Sequence, residues 1–427
     1  MCGLVGFLTP GKWLSNDMVT PILEHMSNAI IHRGPDAVGY WTDESRGIAL
    51  GHRRLSILEL SSAGAQPMQS ACGRYVIAFN GEIYNHLDLR QEMASHQWRG
   101  HSDTETLLAG FSSWGIAKTI ERCIGMFAFA VWDKKEHELT LARDRMGEKP
   151  LYYGWQGQGN DIVFLFGSDI ASLKKHPAFK AEINRNALSL YMRHNCIPSP
   201  YSIYQGIFKL PSACLLTVSL KQREPEIKQY WSLPDVAERG VNNPFLGTDN
   251  EAVDQLEILL KNSVRQQMIS DVSLGAFLSG GIDSSTIVAL MQAQSSRPIK
   301  TFTIGFDNEG YNEAKHAMAV AEYLGTDHTE LYVTPKQAME VIPKLPALYS
   351  EPFADSSQIP TFLVSQLARQ HVTVSLSGDA GDELFAGYNR YIQVHNQWGA
   401  LSRIPKVLRK LMATGLYGLS PNNWNML

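Results

Sequence analysis

The sequence predicts an α/β protein of more than one domain. An α+β N-terminal part on antiparallel sheets is followed by a C-terminal part on a doubly wound parallel sheet. Three observations lead there. Short runs rich in β-branched and aromatic residues, separated by turn signals, crowd the first half. From about Glu251 the pattern becomes strand, helix, strand, helix, which is that of a parallel sheet with ligand sites beyond its carboxyl ends. Between them, "QREPEIKQYWSLPDVAERGVNNPFLGTDN" (222–250) is polar, rich in Pro and Gly, and reads as the connection. A length of 427 residues suits two or three domains, each able to bury a core. The expected division is 1–232, a linker over 233–249, and 250–427.

In the first part the expected strands are "RYVIAF" (74–79), "MFAFAVW" (126–132), "ELTLAR" (138–143), "PLYYGW" (150–155) and "DIVFLFG" (161–167). In "TETLLAGFSSWG", Leu107, Leu108, Phe111 and Trp114 share one helical face, and Ser102 with Glu105 spells a capping box before it. In the second part a helix over roughly 250–269 leads to strand 272–278, a glycine loop and a helix from about Ser284. Strand 300–306, a helix closed by Gly325, a strand near "TELYV", a helix after Pro360 and strand 372–378 complete the alternation.

Composition excludes several classes. The 38 basic and 42 acidic side chains give a net charge of -4 with no basic run, so nothing suggests nucleic acid as a partner. Cys2, Cys72, Cys123, Cys196 and Cys214 are scattered without a CxxC pair, which argues against a disulfide framework or zinc site and for a reducing cytoplasm. No signal peptide is visible, and apolar stretches such as "GMFAFAVW" fall far short of the ~20 residues of a membrane helix.

Three stretches carry chemistry. With Met1 removed, Cys2 of "MCGLVGF" would hold a thiol beside a free α-amine, whose reference pKa of ~7.7–8.0 lets it serve as a base for its own residue. Alone, a small apolar residue opening a strand explains Cys2 as well. In "FLSGGIDSS" (277–285) a strand ends on Ser279-Gly280-Gly281 and a helix follows, presenting backbone N–H groups to a phosphate. Asp283 would repel phosphate directly, so it is expected to hold Mg²⁺. "LSGDAGDELFAGYNRY" (376–391) repeats the arrangement, with a turn at Ser377-Gly378 and Asp379, Asp382 and Glu383 crowded together. By itself that loop could equally be a solvated acidic turn; with the first loop it suggests a shared metal–pyrophosphate site.

Together these residues resemble the asparagine-synthetase-type glutamine amidotransferases along nearly the whole chain. "MCG", "HRGPD" (32–36), "HRRLSILEL" (52–60), "NGEIYNH" (80–86), "SDTE" (102–105), "GMFAFAVWD" (125–133) and "RDRMGEKPLYY" (143–153) resemble the family's glutaminase domain, an αββα N-terminal-nucleophile hydrolase. "SGGIDSS" and "SGDAGDELFAGY" resemble the loops of its ATP-pyrophosphatase domain. The resemblance implies Cys2 as nucleophile on the glutamine side-chain amide, and Arg54 on the substrate α-carboxylate. It places Glu82 and Asp103 on the α-ammonium, and Asn80 with the Gly81 N–H on the oxyanion. Leu278, Ile304, Ser377 and Gly378 would contact ATP, Ser279, Gly281, Asp283 and Ser284 its pyrophosphate. Asp283 and Asp382 would face Mg²⁺, and Asp379 the acceptor side. The activity implied is transfer of ammonia from glutamine, through an internal apolar channel, to an adenylated carboxylate. The products are an amide, glutamate, AMP and pyrophosphate; a homodimer is compatible with the family.

Three departures bear on the acceptor and on length. Enzymes that make asparagine commonly read SGEG or SGEA where this chain has Asp379, and carry a Thr-Thr-Ile-Arg segment where it has "EPFADSSQIPTFLVS" (351–365) without Arg. Those features resemble members that amidate uronic acids of surface polysaccharides, so the preferred acceptor is a sugar carboxylate, with aspartate as the alternative. Family members also continue well past the acidic loop and supply a Lys there, whereas this chain stops at "LSPNNWNML" and reads as a fragment. The rival readings are a glutamine-independent ATP pyrophosphatase ligase, which also uses SGGxDS, and a degenerate binding or regulatory protein.

Overall fold

A computed structural model describes residues 2–9, 16–306 and 313–418. Met1 and the chain end 419–427 lie outside the described residues.

Strands that are apolar on both faces need cover on both sides, and the first part of the chain supplies it in four layers. Its strands are β1 (Gly3–Leu8), β2 (Ala37–Asp43), β3 (Ile48–Arg54), β4 (Met68–Gln69), β5 (Tyr75–Ile83), β6 (Gly125–Asp133), β7 (Glu138–Arg143), β8 (Tyr152–Gln156), β9 (Val163–Gly167), β10 (Phe208–Lys209), β11 (Cys214–Ser219) and β12 (Glu226–Gln229). They form two antiparallel six-stranded sheets, ordered β10-β8-β9-β1-β3-β2 and β12-β11-β7-β6-β5-β4. Successive residues of a strand point to opposite faces. Leu4, Leu8 and Leu50 therefore meet Val76, Ala78, Ala130 and Trp132 between the sheets. Val5 and Phe7 turn outward onto Val19, Leu23 and Met26 of the helix Asn16–Asn28. On the other side Ile77, Phe79, Phe127 and Phe129 turn outward onto Leu107, Leu108 and Phe111 of the helix Asp103–Trp114.

Charged motif residues hold the loops of this frame. Asp144, fully buried, accepts backbone N–H groups from Phe127, Met146, Glu148 and Lys149 at 2.9–3.1 Å, while Arg143 donates to the carbonyls of Gly147, Lys149 and Leu210 at 2.6–2.8 Å. The connection over 222–250 is more ordered than its composition suggests. Its start is β12, paired with β11, and Ser232 caps a helix over Leu233–Asn242.

The second part is a parallel sheet of β13 (Leu274–Phe277), β14 (Lys300–Phe306), β15 (Asp327–Val333) and β16 (Val374–Leu376), ordered β15-β14-β13-β16. The chain runs outward from β13 to β15 and returns to the other side of β13 as β16. The order thus reverses between β13 and β16, where open α/β sheets hold ligands. β13 and β16 are shorter than the expected 272–278 and 372–378, and the helix after β13 starts at Ile282 rather than Ser284. Pro360 sits in the first turn of the helix Gln358–Ala368 rather than before it, where its missing N–H costs no intrahelical bond. No helix among the described residues is long and apolar enough to cross a membrane.

Glu351 of the second part reaches into the first. Its carboxylate, 8% exposed, pairs with Lys209 Nζ at 2.6 Å and accepts the Ile203 N–H at 2.7 Å and the Tyr152 hydroxyl at 3.2 Å. Glu351→Ala takes the counter-ion from the Lys209 ammonium, which keeps only the Ile197 carbonyl, and leaves the Ile203 N–H and the Tyr152 hydroxyl without this acceptor. We expect a loss of ~3–5 kcal/mol in urea unfolding, with Lys209→Ala milder because Glu351 keeps its other two donors.

Candidate functional site

Cys2 stands immediately before β1, half-buried, and its Sγ accepts the Leu55 N–H at 3.3 Å. Burial pushes the thiol up to about 11, against the opposing pull of the Leu55 N–H, so an adjacent base is needed to draw off its proton at neutral pH. A pocket enclosing about 330 Å³ brings Cys2 together with Arg54, Gly81, Glu82 and Asp103. Asn80, which precedes Gly81 on β5, is fully buried, and neither its Oδ1 nor its Nδ2 has a partner among the described residues. Leaving such an amide unpaired costs ~1–3 kcal/mol for each orphaned group, which a ligand atom would offset. Gly81 has its own structural reason: a Cβ there would lie 2.2 Å from the Met126 carbonyl oxygen on β6.

The two acids at the far wall destabilise each other. Asp103 accepts the Ile83 N–H at 2.8 Å, yet burial lifts its carboxyl to about 6. Burial, and then the charge of Asp103, raises Glu82 well above the carboxylate range. A ligand ammonium between them would favour the ionised forms. The capping box forms only by half. Ser102 accepts the Glu105 N–H, but Glu105 turns back to the N–H groups of Arg99 and Gly100 at 2.9 and 3.0 Å. Arg54, expected on the substrate carboxylate, lines the pocket and donates to the carbonyls of Leu58, Glu59 and Ser61, bracing that turn.

That turn belongs to a network with no sequence signal, because its members are 59, 101 and 271. Glu59 accepts the His101 N–H at 2.9 Å and faces His101 Nδ1 at 2.9 Å. His101 Nε2 meets Asp271 Oδ2 at 2.5 Å, and the same oxygen accepts the Glu59 N–H at 2.7 Å. Bonds from Ser61 and then from the His101 N–H hold Glu59 down to about 2. Asp271 lies in the second part of the chain, so the braced turn is fastened across the domain junction.

Above the junction is a second, mainly apolar cavity of about 50 Å³. Ile57, Leu58 and Glu82 line both it and the Cys2 pocket. Its opposite wall is Ile269, Leu274, Val374 and Leu376, the last three on β13 and β16.

The two glycine loops follow those same strands. After buried Leu278, the Ser279 N–H donates to Ser284 Oγ at 3.1 Å and the two serine hydroxyls share a bond of 2.9 Å. Gly280 is left-handed (φ 79°), and Gly281 caps the helix Ile282–Ala293 without any side-chain acceptor. The second loop lies on this turn. A Cβ on Gly378 would fall 2.6 Å from the Ser284 nitrogen, and one on Gly381 would fall 2.4 Å from Asp283 Oδ2. Asp382 touches the other end of the loop, at Gly387, and Asp379 accepts the Ser377 hydroxyl at 2.9 Å. Ile304, half-buried on β14, packs with Phe306 and Val333 rather than on either loop. Ala380 (φ 72°) and Ala386 (φ 58°) bracket the short helix Gly381–Phe385 in left-handed conformations unfavourable to alanine. Among the described residues no three His, Cys, Asp or Glu side chains cluster as a metal cage. Mg²⁺ at a phosphate site needs only one or two carboxylates, with phosphate and water completing its shell, and Asp283 with Asp382 fits that donor set.

Asp103 gives a stability test. Its folded pKa lies above the unfolded value, so its contribution is most favourable below pH ~4 and is lost as pH rises through about 6. Asp103→Asn is expected to unfold at higher temperature than the wild type at pH 7.5, by ~2–3 kcal/mol. The difference should vanish near pH 4; a difference that persists unchanged there would rule out the buried charge as its source.

Residues 1–231 match the glutamine amidotransferase domain family and residues 255–424 match the asparagine synthase family. The chain is 36% identical over 428 residues to a putative glutamine-hydrolysing asparagine synthetase 2 of Methanocaldococcus jannaschii, covering 96% of this chain and 79% of that one. A putative asparagine synthetase of Mycobacterium tuberculosis H37Rv is 36% identical over 425 residues, and asparagine synthetase 1 of Bacillus subtilis 35% over 415. Each match covers 96% of this chain, which spans 64% and 62% of those relatives. A glutaminase fold and a nucleotide-loop fold, joined in this order and matched end to end, are one architecture: the chain belongs to the glutamine-hydrolysing asparagine synthetase family.

Proposed function

We propose that the chain is the glutaminase and ATP-binding part of an amidotransferase that converts a sugar carboxylate to its amide. The observation that carries the amidotransferase reading is the apolar cavity. It shares Ile57, Leu58 and Glu82 with the Cys2 pocket and reaches the strands that end in the two glycine loops.

After Met1 is removed, the Cys2 α-amine takes the thiol proton and Sγ attacks the glutamine side-chain carbonyl. The Asn80 amide and the Gly81 N–H receive the oxyanion. Arg54 and its turn receive the α-carboxylate, and Glu82 and Asp103 the α-ammonium. Ammonia leaves through the cavity while water releases glutamate from Cys2. At the second site Leu278, Ser377 and Gly378 hold the adenine nucleotide. Ser279, Gly281 and Ser284 bind the pyrophosphate that departs as the acceptor carboxylate takes AMP. Mg²⁺, held by Asp283 and Asp382, would neutralise charge on that leaving group. Ammonia then displaces AMP to give the amide.

Two features support a sugar over aspartate. The stretch 351–365 has no Arg, and its first residue, Glu351, is committed to Lys209, Ile203 and Tyr152. The same stretch borders a cleft of about 520 Å³ lined by Tyr191, Tyr204, Tyr349, Phe353 and Lys174, roomy for aspartate and rich in ring faces that suit a sugar.

The test is pyrophosphate release by the full-length gene product with ATP, Mg²⁺ and glutamine, offered aspartate or uronic acid sugars in turn. Release with a uronate alone is expected; release with aspartate and matching asparagine would replace the sugar reading. Cys2→Ala should abolish glutamine-driven release and leave ammonia-driven release intact. Asn80→Ala should lower glutamine turnover by ~10²–10³-fold with a small change in KM, as loss of an oxyanion donor does. Because Asp103 ionises at about 6 in the empty pocket, KM for glutamine should rise as pH falls below that value.

A further inference from the structure

The cavity beside the Cys2 pocket is mainly apolar, and among its polar lining residues, which include Glu82, Tyr84, Gln266, Gln267 and Ser270, His86 stands out. His86 follows β5 after Tyr84 and Asn85 and opens the helix His86–Glu92. Its ring is 2% exposed and lines the cavity with Ile83, Met126, Leu274 and Leu376. Neither ring nitrogen has a hydrogen-bond partner among the described residues. The ring is not loosely placed. Asn85, beside it, donates from Nδ2 to the Arg122 carbonyl at 3.0 Å and accepts the Ile124 N–H at 2.8 Å, which fixes the turn that aims the imidazole.

An orphaned donor and acceptor in an apolar wall cost ~1–3 kcal/mol each, and a leucine or phenylalanine would fill the same space without that cost. The ring therefore suits a small resident that gives and takes hydrogen bonds. We infer that His86 is a positioning residue for ammonia in transit: a neutral imidazole station, donor on one nitrogen and acceptor on the other, in the cavity that shares Ile57, Leu58 and Glu82 with the Cys2 pocket and reaches β13 and β16. The inference rests on the amidotransferase reading above. Ammonia can accept the imidazole N–H with its lone pair at one ring nitrogen, or donate one of its own N–H groups to the bare nitrogen at the other.

Charge makes the station usable. The groups that face His86 are Glu82 on the cavity wall, Arg90 one turn along its own helix, and His101 of the junction network. Arg90 is held by Thr106 Oγ1 and the carbonyls of Gly100 and Ser102 at 2.7–2.9 Å, so its charge stays in place. Burial first, then Arg90 and His101, lowers the imidazole to about 4. At neutral pH it has no surplus proton, whereas an imidazolium would convert ammonia to ammonium, which is no longer a nucleophile.

The experiment counts glutamate formed per pyrophosphate released by the full-length protein, with the acceptor that supports release. The readout is a ratio, so a general loss of activity cancels. The wild type should give a ratio near one. His86→Leu should raise it at least threefold, as ammonia is lost before reaching the second site, and His86→Gln, which keeps a donor and an acceptor, should bring it back. A wild-type ratio in His86→Leu overturns the inference. Should that variant not fold, a high-resolution crystal of the wild type decides: an ordered small molecule within ~3.2 Å of a ring nitrogen is expected, and a dry cavity overturns the inference. Absence of glutamine-dependent pyrophosphate from the wild type with every acceptor would instead remove the amidotransferase reading, and the station with it.

Discussion

The pairing of β5 with β6 is the constraint on which the rest of the structure depends. It runs without a bulge from Tyr75 opposite Asp133 to Ile83 opposite Gly125. Over its first five residues β5 is a core strand, packed on the partner sheet by one face and on helices by the other. Its last four then carry Asn80, Gly81 and Glu82 to the edge of the Cys2 pocket and return Ile83 to the helix-facing core with no freedom of register, since a slip of one residue would turn every side chain to the opposite face. Asn80 and Glu82 consequently point the same way at a fixed spacing. Ile83 offers its N–H to Asp103, and His86 follows at the cavity wall. One strand positions the groups assigned to the oxyanion, the ammonium and the nitrogen in transit.

A rigid strand serves a transfer between two sites only if the second site is held against it. The junction does this in part with charge. Asp271 receives the Glu59 N–H and the His101 ring, while Arg54 braces the same turn from the Cys2 side. Glu351 fixes the opposite flank on Lys209 and Ile203. Buried hydrogen-bonded charges contribute little net stability but penalise any arrangement in which they part. That suits a junction whose cavity must stay closed to water.

The sequence was legible where a local pattern has one physical explanation. Alternating apolar runs such as "MFAFAVW" became β6, and Ser279-Gly280-Gly281 had to be a turn before a helix, as had Gly325 after one. The Cys2 pocket brings Cys2, Arg54, Gly81, Glu82 and Asp103 together from distant positions, and the two glycine loops lie against each other, whereas Ile304 packs away from both loops. What was not legible depended on partners far away in the chain. The Glu105 carboxylate left the capping box for Arg99 and Gly100, Arg54 became a brace for its own turn, and Glu59, His101 and Asp271 carry no motif. The polar stretch 222–250 looked like a linker because its strand and helix bury little of their own surface.

Several unfavourable groups lie along the proposed route between the two sites. Among the described residues the Asn80 amide and the His86 ring have no partners, and Glu82 and Asp103 hold two carboxyls that resist ionisation together. Ala380 and Ala386 add left-handed backbone beside the second acidic loop. Each is costly in a folded protein of marginal stability, and each lies where a ligand, an ammonium or ammonia would relieve it. The αββα frame can carry that burden because its sheets are buried on both faces and its loops are held by Asp144 and Arg143. A less rigid strand would relax to satisfy Asn80 and His86 internally, and the pocket and the passage would close together.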